Sequence, residues 1–111
     1  MDNLLDNQYL VFHYSSIIFN EFNKDKADGF WFTDINPENT DMLDEIGANS
    51  SSFCAKCIIT IDNEIDDINN YDVFEQLAEK NTDGAICRYD GFIDYVVASN
   101  SQIKILEWIE L

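Results

Sequence analysis

His13, Tyr14 and Ser15 close an apolar run, Val11-Phe12-His13-Tyr14-Ser15, and an aromatic run follows at Gly29-Phe30-Trp31-Phe32-Thr33-Asp34. A polar His-x-Ser at the end of one strand, with a second, aromatic strand after it, reads as a nucleotide pocket. Strand alternation sends Phe30 and Phe32 to one face and Trp31 to the other, so one set is core and the other is open to a ligand; Trp31 is assigned to the pocket. Asp94 falls within the apolar strand Phe92–Ala98, where burying a carboxylate without a partner is costly, and this marks it as a site candidate. Exposure on an edge strand is the plainer alternative. His13 also has a plain reading, a partly buried strand residue bonded to its neighbours.

Other chemistries are disfavoured by spacing. Cys54-Ala55-Lys56-Cys57 has the interval of a metal or redox pair, but in a strand residues three apart point to opposite faces. Neither a second pair nor a helix start that would activate a thiol stands nearby, and Cys87 reads as a core residue. The sequence carries no Gly-rich phosphate loop, Ser-His-Asp arrangement or metal-binding helix motif, so no metal is called for.

The elements that must position these residues are mostly strands. Apolar runs rich in β-branched and aromatic residues predict strands at Tyr9–His13, Gly29–Thr33, Phe53–Ile61, Ala85–Tyr89, Phe92–Ala98 and Gln102–Ile109. Asp90-Gly91 predicts a tight hairpin turn between the fourth and fifth of these, and Asp83-Gly84 is a second turn signal. Asn36-Pro37 caps a short helix carrying Met42, Leu43 and Ile46 on one face, stopped by Gly47. Tyr71, Phe74, Leu77 and Ala78 predict a second helix within Asn70–Lys80. The expected fold class is therefore α+β, one domain over residues 1–111 with two short helices.

Six Lys and Arg stand against 22 Asp and Glu in 111 residues, a formal net charge of −16. Such a field repels nucleic acid and anionic membranes and attracts a basic protein, although simple solubility explains it equally well. Hydrophobic residues at 46% supply a core despite the charge. The N-terminus is acidic and lacks a continuous apolar stretch, which argues against a secretory signal, and no run is long enough to span a bilayer. Three cysteines cannot all pair within the chain, so reduced thiols in a cytosol are expected.

The order of His13-Tyr14-Ser15, Phe30-Trp31-Phe32-Thr33-Asp34, Asp83-Gly84-Ala85, Asp94-Tyr95-Val96-Val97 and Gln102-Ile103-Lys104 resembles the ADP-ribosyltransferase-like family. It is similar to the small versions found in phages and mobile elements, ADP-ribosyltransferase-type anti-CRISPR proteins among them. Those open with apolar-His-Gly-Thr/Ser, continue with Gly-x-Tyr-Phe-Thr/Ala-Asp, and close with Asp-Gly-hydrophobic, Glu-Tyr-Val-Val-Phe and Asn-x-x-Gln-Ile-Lys. The resemblance implies a compact split-sheet core and an enzyme that moves ADP-ribose from NAD, its substrate, to a protein.

By that resemblance His13 bonds the adenosine-side ribose, Ser15 supports the strand end or the nicotinamide side, Tyr14 lies with them, and Trp31 or Phe30 stacks the nicotinamide. Asp94 stands where the family has its catalytic Glu, and Lys24 and Lys26, in the segment that covers the ligand, meet the diphosphate. They serve equally as solubilising loop residues. Two positions depart from the pattern: Trp31 exchanges a phenol for an indole, and Asp94 is one methylene short of Glu. The implied setting is a phage-encoded inhibitor of host defence that modifies a nucleic-acid-binding complex in the cytosol. The competing expectation is a non-catalytic acidic inhibitor, a DNA mimic or immunity protein, that blocks a basic surface stoichiometrically.

Overall fold

The computed structural model describes residues 4–19, 22, 30–38, 43, 51–66, 77 and 81–111. Seven strands form one mixed sheet: β1 Gln8–Ser15, β2 Phe30–Thr33, β3 Phe53–Thr60, β4 Glu64–Asp66, β5 Gly84–Tyr89, β6 Phe92–Val97 and β7 Ile103–Glu110. Their spatial order is β4-β5-β6-β2-β1-β3-β7, antiparallel throughout except for the β4–β5 pair.

This overturns the α+β expectation of a split sheet with two helices. The described residues build a single continuous sheet, and the helical element with defined ends is the 3-10 turn Asn100–Gln102. Leu43 and Leu77 have helical backbone, and the rest of the two segments read as helices, beyond Glu38 in the first and all but Leu77 in the second, lies outside the described residues. Where the first was to start, Asn36 Oδ1 accepts the Glu38 N–H at 2.9 Å, a local turn contact. Helical spacing over about ten residues is weak evidence in itself, because helices that short are marginal in water without tertiary packing.

The six strands read from apolar patterning all form, with ends shifted by a residue or two. The short β4, with its sequence Glu-Ile-Asp, has no such pattern. Gly91, at φ 94°, makes the β5–β6 turn, a conformation open to glycine at little cost. Gly84 serves packing instead: a Cβ there would come within 2.7 Å of Ile61.

The two sheet faces are unequal. One holds the main core, in which Val11, Phe22, Phe30, Phe32, Cys57 and Ile59 are buried with Tyr95 and Val97. Trp108 Nε1 donates to the Phe19 carbonyl at 3.2 Å, and Asn100 Nδ2 to that of Phe22, so the backbone following β1 is tied over this face. The other face carries a smaller cluster of Leu77, Ala85 and Val96, packed by Trp31 and Ile65.

Candidate functional site

Register decides which side chains meet. β1 and β2 share one register pair, Phe12↔Thr33, whereas β1 and β3 pair along all eight residues. Thr33 is in turn opposite Asp94, and Asp94 opposite Cys87. Cross-strand partners project to the same face, so Phe12, Thr33, Asp94 and Cys87 form one row, and Tyr14 and Trp31, two residues along their strands, share that face.

Asp94 is half-buried in this row. Burial raises its carboxyl to about 6, the Asp34 charge adds to the rise, and a hydrogen bond with Thr33 opposes it. A carboxyl of that proton affinity changes state near neutrality, a property suited to acid–base or charge-stabilising work. Asp34 itself fastens the strand end: its Oδ1 accepts the Ile93 N–H at 2.9 Å, and its N–H donates to Ile93 O at 3.0 Å. The last residue of the aromatic run thus locks β2 onto β6 directly beside Asp94.

His13, adjacent to Phe12, faces the main core. Its ring meets Phe19, Phe22 and Phe32 with centroids 4.8 to 6.0 Å away. Nδ1 lies 2.9 Å from the Trp31 carbonyl, which can only accept, so Nδ1 carries the proton and Nε2 is the ring's acceptor. The imidazole replaces a main-chain donor where β1 and β2 part. Burial holds it below the ordinary value of 6.5, and the Trp31 carbonyl partly offsets that, leaving the ring neutral at pH 7.

The structure therefore brings Tyr14, Trp31 and Asp94 to one face and sets His13, Ser15 and Phe30 toward the other. Phe30 is buried beside Phe22 at a centroid distance of 5.4 Å, which leaves Trp31 as the half-buried aromatic of β2. Tyr14 Oη donates to the Ile35 carbonyl at 2.6 Å, and desolvation with the neighbouring Cys54 pushes its phenol up. The Ser15 hydroxyl is used locally, donating to Ile17 O and accepting Ile17 N–H. Lys24 and Lys26 lie outside the described residues.

Two further sequence motifs prove to be fasteners. Gln102 Nε2 donates to Thr60 O at 3.0 Å and Asp83 O at 2.8 Å, joining the ends of β3, β5 and β7. The Asp83 carboxylate accepts the main-chain N–H groups of Asp62 and Asn63. Cys54 and Cys57 point to opposite faces, since Cys57 sits in the main core and Cys54 is opposite Ile109; burial pushes their thiols up to about 11 and about 12. Neither is poised as a nucleophile.

Patterning missed Thr33, the polar partner of Asp94, and an open groove of about 390 Å³ on the same face. Leu10, Phe12, Lys56 and Ile109 line it with Pro37 and Glu107. The available signal was Lys56, the single charge of the apolar β3, with Glu107 one of three charges in β7. No helix among the described residues is long and apolar enough to cross a membrane. No model of a known protein family matches the chain, and no curated protein does.

Proposed function

We infer that the chain is an NAD-dependent mono-ADP-ribosyltransferase acting on a protein. The observation carrying this reading is Asp94: a half-buried carboxyl with raised proton affinity, held by Thr33 on the face that also bears Trp31. NAD as the substrate comes from the sequence resemblance. His13, expected to meet a ribose, instead packs against Phe19, Phe22 and Phe32 on the opposite face and takes no part in this reading.

In this mechanism the bond between ribose C1′ and the nicotinamide nitrogen breaks, and its electron pair leaves with nicotinamide. Ionised Asp94 stabilises the oxocarbenium-like centre from the ribose hydroxyl side, and Trp31 packs the departing ring. A nucleophile of the target then forms the new bond at C1′ and releases its proton. The buried, unpaired thiols fit a reducing cytosol, and the phage-inhibitor setting follows from the resemblance and the acidity.

Incubating candidate basic targets with the protein and NAD, followed by mass spectrometry, tests the reading through an added ADP-ribose mass. Asp94→Ala is expected to lower transfer by about 100-fold or more while leaving the fold intact. Unchanged transfer in that variant removes Asp94 from the mechanism, and absence of any NAD-dependent product removes the activity. A second reading, a stoichiometric acidic inhibitor, is favoured by the net charge of −16. It predicts inhibition that needs equimolar protein and ignores NAD.

A further inference from the structure

The groove on the Asp94 face is bounded on one side by β7, the sheet's last strand, and on another by the Asn36-Pro37-Glu38 turn. Its floor is apolar, from Leu10, Phe12 and Ile109, and Leu10 is 41% exposed. Glu38 and Glu107 stand beside that floor as exposed side chains, with the half-buried Lys56 also in the lining. Among the described residues the ion pair present is Arg88–Asp66, remote from the groove. Glu38 and Glu107 thus make no ion pair among the described residues, although Lys56 is in register with Glu107.

We propose that this groove is the docking surface for an extended, basic segment of a partner protein. An Arg or Lys side chain lays its aliphatic stem on Leu10, Phe12 and Ile109 and brings its head to Glu38 and Glu107. Charge chooses the occupant. In a chain of net charge −16, an acidic rim repels nucleic acid and acidic peptides and draws cationic protein. The apolar floor adds selection for a stem or neighbouring aliphatic residue, which a bare cation cannot use. Among the described residues β7 pairs with β3 alone, so its outer edge offers main-chain groups to an extended chain entering beside the groove.

The proposal stands without the transferase reading. Where both hold, the row Phe12-Thr33-Asp94 places the near edge of the groove two strands from Asp94, about 10 Å away, and its β7 edge four strands away, about 19 Å.

The test needs no NAD. A short fluorescein-labelled peptide of alternating Arg and Leu is titrated into the protein, with a Glu-Leu peptide as the sign control, while anisotropy and amide shifts are recorded. The Arg-Leu peptide is expected to saturate, to move the amides of Leu10, Phe12 and Ile109, and to bind more weakly as salt rises. Glu38→Gln with Glu107→Gln is expected to weaken it about five- to tenfold. Asp6→Asn with Asp90→Asn removes the same charge elsewhere and is expected to leave affinity within about twofold. Equal weakening by both pairs, shifts confined to other surfaces, or full displacement by spermidine at the same charge concentration overturns the docking site and leaves only the field of the whole molecule.

Discussion

The two faces of the sheet solve different problems with similar material. The main face buries Phe30, Phe32 and Phe22 around His13, so the imidazole is kept neutral by its aromatic walls against the opposing pull of the Trp31 carbonyl. Among the described residues the Asp94 face is the more open, with a small cluster at one side, a groove at the other and a half-buried carboxyl between them. A closed face earns stability from packing, whereas a partly covered one retains polar groups at the cost of desolvation. Chemistry is therefore sought where the sheet is incompletely covered.

The difference is sharpest in packing. Phe32→Ala, on the closed face, is expected to cost about 3–5 kcal/mol in urea unfolding, against about 1 kcal/mol or less for Leu10→Ala on the open one. Similar costs at both sites would abolish the distinction.

The faces should also respond to pH with opposite sign. Asp94 has a folded value of about 6 against an ordinary 3.8, so the folded state holds the proton more tightly and stability falls as pH rises through that window. Asp94→Asn, which cannot ionise, is expected to gain melting temperature over wild type above pH 6 and to lose the advantage below 3.8. A constant difference across the range would contradict the raised carboxyl.

His13 behaves inversely, because its folded value lies below 6.5 and the unfolded chain takes the proton first. Wild type is expected to lose stability relative to His13→Gln as pH falls below 6.5, with the variant's curve flatter. No divergence there would place the imidazole in water. The smallest effect is at the far edge, where Arg88 Nε meets Asp66 at 2.8 Å with both side chains 47% exposed. Asp66→Asn is expected to change unfolding free energy by about 1 kcal/mol or less, since exposed pairs are weak.

Much of this was legible along the chain. Alternation located six of the seven strands, Asp90-Gly91 located the hairpin, and the inward parity of Phe30 and Phe32 followed from the pleat. The singular charge of Asp94 in an apolar strand marked it before its environment was known. The helical readings at 37–46 and 70–80 led to the wrong fold class, because local periodicity does not say whether a short helix carries the architecture. Gln102 and Asp83, parts of a motif that resembled a site, turned out to fasten strand ends, a role visible only once β3, β5 and β7 meet.

What the sequence determined is the set of side chains that share a face within each strand, since the two-residue period is a property of the backbone. What it left open is the phase of one strand against the next. The pairing Phe12↔Thr33↔Asp94 unites Trp31 and Asp94 and turns His13 to the opposite side, and a shift of one residue would have reversed that. Such register is set by contacts between residues far apart in the chain, which no local pattern encodes.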